Sequence, residues 1–371
     1  MKVLFTTNIP APYRIDFFNE LSKYCDLTVA VERTNAKDRQ SEWTALGNIE
    51  FKLIKLKGIK IGNDTAFCPE IIQYIKHNQF DIIVVGGYST PTGMLLIEYL
   101  RKKKIKFILS TDGGIVKEKE NSIKYKLKKH FIGSANYWLS TGEHTSEYLI
   151  HYGAKEEKIF KYPFTSIREA QITEQITPKE KEILKEQLGL KGKYIVISVG
   201  NYIYRKGFDI LIKAAQYVNK DVEIIIVGDK PTDEYLELVN KYKIKNVKFI
   251  GFMSKENLEK YYKASSIFVL PTREDIWGLV VNEAMAKGLP VITTDKCVAG
   301  LELINNEQNG YIIPTENDRE IAEKINMIIE NTKLMEKMTK QNIEKAHLYT
   351  IENMALQHIK IFDEIIKEKQ L

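Results

Sequence analysis

The sequence alternates short apolar runs, rich in β-branched residues, with stretches of helical periodicity, and it does so in both halves of the chain. Such alternation is typical of βαβ units and of largely parallel sheets covered by helices. Strands are predicted at 2–7, 27–32, 51–56, 81–87, 106–111 and 137–141, and again at 194–200, 223–228, 247–252, 266–272 and 290–295. We therefore predict two doubly wound α/β domains.

The length of 371 residues supports two domains, because single cores rarely grow that large. The apolar pattern weakens across 166–192, where we expect a linker and one helix. The domains are then predicted over 1–165 and 193–345, and a closing helix over 346–371 packs on either domain. Ligands of such sheets bind at the carboxyl ends of the strands, so the active site is expected in the cleft between the domains.

Composition excludes several classes of protein. A content of 44% hydrophobic and 28% charged residues is that of a soluble globular chain. No apolar run approaches the roughly 18 residues of a membrane span, and the Pro-broken start does not resemble a signal peptide. The three cysteines, Cys25, Cys68 and Cys297, match neither a disulfide framework nor a metal site. We expect a cytoplasmic protein.

Positive charge is concentrated in one segment. Residues 101–130 hold eleven Lys or Arg and three acidic residues, which suits a membrane surface, a nucleic acid or a pyrophosphate-linked lipid. Within 117–132, Ile123, Leu127 and Phe131 share one face of a helix among lysines. This pattern fits a helix lying on an anionic membrane, and equally a helix packed on its own domain. A solvated basic face remains the alternative.

The segment "VGNYIYRKGFDILIKAA", residues 199–215, places two cations, Arg205 and Lys206, between a strand and a helix. Free N–H groups at the start of a helix add to their charge, so we expect an anion site that binds phosphate. An exposed basic turn is the alternative. The segment matches neither the P-loop nor the G-x-G-x-x-G pattern.

The segment "PTREDIWGLVVNEAMAKGLPVITTD", residues 271–295, carries two carboxylates eight positions apart, Asp275 and Glu283. We predict Asp275 in a loop after a strand, and a helix from Gly278 to Lys287 that Gly288 stops. Glu283 then lies beside an apolar stripe, where a carboxylate needs hydrogen bonds such as those from sugar hydroxyls. The alternatives are a surface pair of Glu283 with Lys287, and a helix cap or a loop charge for Asp275.

These two segments resemble the donor site of family 4 glycosyltransferases, a retaining group of GT-B architecture. "PTREDIWGLVVNEAMAKGLPVI" is similar to the E-x7-E signature of the family, with Asp275 at the first position and Glu283 at the second. "VGNYIYRKGFDILIKA" is similar to its diphosphate-binding segment. The resemblance covers both halves and implies two Rossmann-like doubly wound parallel-sheet domains facing across a cleft.

The resemblance also implies roles. Glu283 holds the ribose hydroxyls, Asp275 contacts the transferred sugar, and Arg205 and Lys206 meet the diphosphate together with backbone amides. The implied donor-binding residues are Gly200, Asn201, Arg205, Lys206, Asp275, Gly278, Leu279, Val280 and Glu283. Two departures matter: Asn201 stands where an Arg is common, and Asp275 reaches one methylene less far than Glu.

The first half of such enzymes binds the acceptor. "TTNIPAPYRIDFFNEL" resembles a subgroup in which Pro-Ala-Pro-Tyr-Arg replaces a Gly-rich loop, which places Tyr13 and Arg14 at the edge of the cleft. The paired glycines before Tyr88 and after Asp112 allow a ligand to approach the backbone closely. The implied acceptor-binding residues are Tyr13, Arg14, Gly87, Tyr88 and Asp112. Tight turns and helix-start packing are the alternatives.

The resemblance implies a retaining glycosyltransferase of hexosyl or N-acetylhexosaminyl type, with a UDP-sugar as the expected donor and a glycan or lipid-linked glycan as acceptor, in bacterial surface polysaccharide assembly. The catalytic residues implied are Asp275, Arg205, Lys206 and Asp112. The cations would stabilise the charge that builds on the leaving diphosphate. The sequence has no Asp-x-Asp pair, so we expect neither a metal nor another cofactor.

Three other classes are weighed against this expectation. A sugar-nucleotide epimerase would share paired Rossmann domains but not the acidic signature. A glycosidase would use Asp275 and Glu283 as its acid pair, which leaves the Arg205–Lys206 loop without a purpose. A protein that binds anionic surfaces or nucleic acid would use residues 101–130, yet no nucleic-acid motif is present and we expect no nucleic acid. Peripheral contact with the inner face of the cell membrane, through residues 101–132, stays open.

Overall fold

The computed structural model describes residues 1–33, 47–61, 64–116, 119–173 and 176–370. The chain divides into two compact units, Met1–Ser166 with Thr350–Leu371, and Ile167–Tyr349. Each unit is built on a parallel sheet with helices packed against it, so the prediction of two α/β domains is confirmed. In the described part of the chain, none of the helices combines the length and the apolar character that a membrane span needs.

The first unit holds a seven-stranded sheet of order β3-β2-β1-β6-β7-β8-β9, in which all neighbours are parallel. Its elements are β1 (Lys2–Thr7), α1 (Pro12–Ser22), β2 (Asp26–Val31), β3 (Lys52–Lys55), β4 (Ile59–Ile61), β5 (Thr65–Phe67), α2 (Glu70–His77), β6 (Ile82–Val85), α3 (Pro91–Lys102), β7 (Ile108–Ser110), α4 (Ser122–Ile132), β8 (Tyr137–Ser140), α5 (Glu143–His151) and β9 (Ile159–Lys161). All six predicted strands form. β9 and the antiparallel pair β4–β5, of three residues each, were not predicted.

Strand β1 lies inside this sheet, between β2 and β6, and its residues Val3, Leu4 and Phe5 are almost fully buried. A strand that is covered on both faces reads as a continuous apolar run, which is why the sequence identified it. The carboxyl ends of β1, β6 and β7 lie at one edge of the sheet, since the strands are parallel neighbours. The loops that carry the predicted acceptor residues therefore lie at the same edge.

The second unit holds a six-stranded parallel sheet of order β12-β11-β10-β13-β14-β15. Its elements are α6 (Pro178–Gln187), β10 (Tyr194–Val199), α7 (Phe208–Ala214), β11 (Val222–Val227), α8 (Asp233–Lys241), β12 (Val247–Ile250), α9 (Lys255–Ala264), β13 (Ile267–Leu270), α10 (Leu279–Met285), β14 (Val291–Thr294), α11 (Val298–Leu303), β15 (Gly310–Ile313), α12 (Asp318–Glu330) and α13 (Thr332–Ala346). The five predicted strands form, and β15 adds a short sixth at the edge.

The helix expected within 166–192 is α6, and its start is set by local chemistry. Thr177 accepts a hydrogen bond from the Glu180 amide, Glu180 bonds back to the Thr177 amide, and Pro178 occupies the first helical position. This capping box and the proline satisfy the free N–H groups at the helix start. The helix packs on α9 in the second unit.

The final helix, α14 (Ile351–Gln370), belongs to the first unit, where it packs against α1. It begins later than the expected residue 346, because Thr350 accepts a hydrogen bond from the Asn353 amide and so caps it. His358 is buried on this helix, with its ring 4.7 Å from that of Phe17 and 4.5 Å from that of Tyr162. Burial lowers the pKa of His358 to about 4.

A depressed pKa at His358 predicts how the stability of the first unit depends on pH. The unfolded chain takes up a proton near pH 6.5, whereas the folded unit resists it down to about pH 4. The contribution of neutral His358 to the free energy of unfolding is thus complete above pH 6.5. It is lost as the pH falls toward 4, and the loss reaches about 3 kcal/mol. Urea unfolding at pH 5 and pH 7, followed by circular dichroism, measures it. His358→Phe should flatten this dependence and exposed His77→Gln should not; equal slopes in all three proteins would contradict the assignment.

Candidate functional site

A tight turn after β10 sets the backbone of the candidate site. Residues Tyr204–Lys206 form one 3-10 turn, and Gly207 follows it in the left-handed region, with φ of +68°. A Cβ atom on Gly207 would lie 2.0 Å from the carbonyl oxygen of Pro271, at the end of β13. Only glycine lets the turn lie this close to the neighbouring strand.

Three of the residues assigned to donor chemistry come together at this turn. Lys206 Nζ lies 2.5 Å from Asp275 Oδ2, and Arg205 Nη1 lies 3.3 Å from Asp275 Oδ1. Arg205 also donates to the carbonyl of Glu274 at 2.9 Å. Because β10 and β13 are neighbours in the sheet, the loops at their carboxyl ends meet. The cluster carries one net positive charge.

The burial of this cluster explains its pairing. Asp275 is 8% exposed and the side chain of Lys206 is 13% exposed, whereas that of Arg205 is 45% exposed. A carboxylate so far from water is strongly destabilising unless cations or hydrogen bonds compensate it. An incoming anion would therefore either share the two cations with Asp275 or displace it.

The backbone of Asp275 is fixed as well. It forms an isolated parallel bridge to Cys297, with the Asp275 amide 2.8 Å from the Lys296 carbonyl and the Val298 amide 3.1 Å from the Asp275 carbonyl. The N-cap of α10 is Gly278. Asp275 therefore does not cap the helix, and that alternative is wrong.

Helix α10 is shorter than predicted. It runs from Leu279 to Met285, not from Gly278 to Lys287. The amides of Lys287 and Gly288 donate three residues back, to the carbonyls of Ala284 and Met285, so the chain tightens into a turn before Gly288, where φ is +70°. Gly278 itself has φ of +102°, and a Cβ there would lie 2.9 Å from Cys297 Sγ. Leu279 and Val280 form the first turn and are half-buried.

Glu283 is half-buried and contacts α9. It accepts a hydrogen bond from the Tyr262 hydroxyl at 3.1 Å, and burial together with this carboxylate raises the pKa of Tyr262 well above its ordinary value. Lys287, the alternative partner, forms an ion pair with Glu259 at 2.9 Å. The protein thus supplies Glu283 with a hydroxyl donor, the kind of partner that its position required.

Gly200 and Asn201 continue strand β10 into the loop. The Gly200 amide donates to Val227 at 3.0 Å, which extends the pairing with β11. Asn201 is exposed, and its carbonyl accepts from the Ile203 amide at 2.8 Å. Both residues lie in the loop that leads to the Arg205–Lys206 turn.

Arg273 and Thr272, which sequence reasoning missed, hold this turn. The Thr272 hydroxyl and the Arg273 amide both donate to the carbonyl of Arg205, at 2.9 and 2.8 Å. No local pattern points to these contacts, since the partners lie more than sixty positions apart.

In the first unit, the structure brings together Tyr13, Arg14 and Asp112. Arg14 Nη2 lies 2.6 Å from Asp112 Oδ2, and the Tyr13 hydroxyl donates to the same oxygen at 3.1 Å. Burial, aided by Asp112, raises the pKa of Tyr13 to about 12. Burial alone would lower the pKa of Arg14, but Asp112, Tyr13 and Tyr162 together outweigh that effect and raise the pKa. Asp112 is therefore a fixed acceptor at the carboxyl end of β7.

A small pocket opens onto these three residues. Aromatic rings and α14 form most of its wall. Its lining consists of Phe5, Tyr13, Arg14, Phe17, Ser110, Asp112, Tyr162, Phe164, Met354 and His358.

Tyr88 lies in a neighbouring cluster. Its hydroxyl is 2.5 Å from that of Tyr148, and burial raises the pKa of both phenols. A Cβ on Gly114 would lie 2.5 Å from the Tyr148 ring, so the loops around Gly87 and Gly114 share this tyrosine. Both predicted acceptor loops are therefore held by one side chain.

The basic helix α4 begins at Ser122, because Asn121 caps it, while Lys117 and Glu118 lie outside the described residues. The apolar face predicted for it divides. Phe131 is buried, whereas Ile123 is 77% exposed and Leu127 is 45% exposed. Part of the face packs on its own domain, and part remains open among exposed lysines.

Comparisons of sequence show which known proteins the chain is similar to. Residues 180–345 match the family described as Glycosyl transferases group 1. The chain is 25% identical over 296 residues to the N,N'-diacetylbacillosaminyl-diphospho-undecaprenol alpha-1,3-N-acetylgalactosaminyltransferase of Campylobacter jejuni, covering 79% of this chain and 76% of the relative.

Solved structures share the fold along the whole chain. Sucrose-phosphate synthase from Thermosynechococcus elongatus superposes with a TM-score of 0.78 at 18% identity, covering 99% of each chain. Anabaena Alr3699/HepE in complex with UDP gives a TM-score of 0.78 at 17% identity, covering 100% of each chain.

The chain is thus a glycosyltransferase that acts on sugar donors, with two parallel-sheet α/β domains of the GT-B fold. Its second unit contains a glycosyl transferases group 1 domain. Among the described residues, no three His, Cys, Asp or Glu side chains are grouped so that they could hold a metal ion.

The close approach at Gly207 predicts a selective destabilisation. Gly189 has a similar φ of +64° but open space around it, so Gly189→Ala should cost only the conformational penalty of about 1 kcal/mol. Gly207→Ala adds a clash with the Pro271 carbonyl and should cost roughly 2 to 5 kcal/mol. Urea unfolding of both variants checks this, and equal losses would show that the turn relaxes freely.

Proposed function

We propose that this chain is a retaining family 4 glycosyltransferase that moves a hexosyl or N-acetylhexosaminyl group from a UDP-sugar to a hydroxyl of a glycan or lipid-linked glycan, in bacterial surface polysaccharide assembly. The observation that carries the proposal is the cluster of Arg205, Lys206 and Asp275 at adjoining strand ends, in which Lys206 and Asp275 are largely buried. It combines cations for a diphosphate with a carboxylate for sugar hydroxyls.

The chemistry follows from the charge that develops as the donor reacts. When the bond between sugar and phosphate breaks, negative charge builds on the leaving diphosphate. Lys206 and Arg205 are already oriented by Asp275 and by the Glu274 carbonyl, so little reorganisation is needed to stabilise that charge. Charge-assisted hydrogen bonds in a water-poor site are the strong ones. The amides of Gly278, Leu279 and Val280 add donors in this proposal.

The two acids of the signature take different ligands. Asp275 contacts the transferred sugar next to the cations. Glu283, oriented by Tyr262 on a neighbouring helix, binds the ribose hydroxyls. Neither serves as a covalent nucleophile in this proposal, so the acceptor hydroxyl attacks on the face that the leaving group departs from, without a metal.

The acceptor binds in the first unit. Asp112 is held by Arg14 and Tyr13 and accepts a hydrogen bond from the acceptor hydroxyl, while the backbone at Gly87 and Tyr88 allows close approach. The Campylobacter jejuni relative, whose name includes diphospho-undecaprenol, supports a lipid-linked acceptor. The UDP in the Anabaena structure supports a uridine nucleotide as donor.

We also propose that α4 contacts the inner face of an anionic membrane, within the basic segment 101–132. Ile123 and Leu127 stand exposed beside exposed lysines, which combines apolar insertion with attraction to anionic lipid. This contact would bring the chain to a lipid-linked acceptor and gives it a peripheral location on the cytoplasmic side.

The donor site is tested by nucleotide binding. At least one of UDP, GDP, dTDP and ADP should raise the melting temperature of the protein. No shift with any of the four would overturn the proposal. Lys206→Ala should lower the affinity for that nucleotide about 10- to 100-fold, since the variant loses a charge-assisted hydrogen bond to the diphosphate.

Asp275→Asn should do the opposite, because its carboxylate no longer competes with the diphosphate: affinity rises about tenfold while sugar transfer is lost. Lys220→Ala, an exposed lysine of the same unit, is the control and should change neither measurement. Weaker binding in Asp275→Asn would show that Asp275 only orders the cations.

Co-sedimentation with phosphatidylglycerol vesicles tests the membrane contact. Binding should weaken with rising salt. Replacing Ile123 and Leu127 together by Gln should lower the partition coefficient at least about tenfold, since two apolar side chains no longer insert. The matched control is Leu236→Gln, an exposed leucine on α8. Salt-insensitive sedimentation, or an equal loss in the control, would contradict the contact.

A further inference from the structure

Arg273 joins the two loops of the donor site. It follows Thr272 at the end of β13, and its side chain is only 13% exposed. Nη1 and Nη2 donate to the two oxygens of Asp209, each at 2.8 Å. Asp209 lies in the first turn of α7 and is also 13% exposed. This two-pronged pair ties the start of α7 to the loop that contains Asp275.

Arg273 also holds the turn that presents the two cations. Its Nη1 donates to the Tyr204 carbonyl at 2.6 Å, and its backbone amide donates to the Arg205 carbonyl at 2.8 Å. The guanidinium carbon lies 3.9 Å from the centre of the Tyr204 ring. One side chain thus contacts the carbonyl and the ring at the start of the turn, while its own backbone binds the next residue.

The chemistry of these contacts requires arginine. A guanidinium is planar and offers five donors, so it binds a carboxylate with two parallel bonds and stacks on a ring at the same time. Lysine carries the same charge on a single nitrogen and cannot do both. Glu316 also bonds Arg273, but that carboxylate is 52% exposed, so its pairing contributes little. The Asp209 and Tyr204 contacts dominate.

We propose that Arg273 is a positioning residue that fixes the Arg205–Lys206 turn for the diphosphate. The role rests on the proposed function, in which those two cations bind the diphosphate. Arg273 acts through the turn, because its own donors are taken up by Asp209, Tyr204 and Glu316. Loss of the two-pronged pair between Arg273 and Asp209 should therefore weaken the binding of the diphosphate and leave the binding of the nucleoside unchanged.

Calorimetric titration with UDP, inorganic pyrophosphate and uridine tests this. Arg273→Lys and Asp209→Asn should each lower the affinity for UDP and for pyrophosphate about tenfold, and should leave the affinity for uridine unchanged. Tyr204→Leu, at a 74% exposed residue that tolerates change, should give a smaller loss in the same direction and covers the case of a poorly folded Arg273→Lys. If Arg273 had only a structural role, the variants would bind UDP, pyrophosphate and uridine more weakly to the same extent, and that result would overturn the proposal.

Arg319→Lys is the matched control, because Arg319 also stacks on a tyrosine, with its guanidinium carbon 3.3 Å from the centre of the Tyr217 ring. It should leave all three affinities unchanged. If Asp209→Asn binds UDP more tightly than wild type, Arg273 contacts the phosphate itself and the positioning role is wrong. If the wild-type protein binds neither UDP nor pyrophosphate, the proposed function itself is wrong. If the wild-type protein binds them and Arg273→Lys binds them equally well, only the positioning role is wrong.

Discussion

The ion pair between Lys206 and Asp275 is the interaction on which the candidate site of the second unit depends. Both side chains are largely buried, and a buried charge must be paired or the fold loses several kcal/mol. The pair joins the loops after two neighbouring strands, β10 and β13. Gly207 permits the close approach, and Arg273 secures the turn from the other side. The same contact therefore stabilises the unit and sets the charge that a diphosphate would meet.

The first unit repeats the arrangement with different residues. Asp112 follows β7 and is bound by Arg14 and Tyr13 from the first turn of α1. In each unit a carboxylate that follows a strand is held by a cation from another element. A fixed carboxylate of this kind is a ready acceptor for sugar hydroxyls. Its partners hold it in one orientation, so binding costs little further ordering.

The sequence predicted much of the fold, and the failures have a common cause. Strands such as β1 and β11 are continuous apolar runs, because both faces of a parallel sheet are covered. The missed strands β9 and β15 lie at the edges of the two sheets, where each pairs with a single neighbour, β8 or β14. For α4, the periodicity identified the apolar face but not which part of it is buried. Burial depends on what packs against each turn of the helix, and the sequence of the helix does not contain that information.

The sequence by itself determined the residue types and the local spacing of the donor site. It identified two cations before a helix and two carboxylates eight positions apart, since both are local patterns. Only the tertiary structure decided which groups meet. Asp275 pairs with Lys206 across 69 positions and Arg273 with Asp209 across 64, because strand order, not sequence distance, brings loops together. Tyr262 on α9 likewise meets Glu283 on α10, 21 positions away and beyond strand β13, a contact that no local pattern in the sequence indicates.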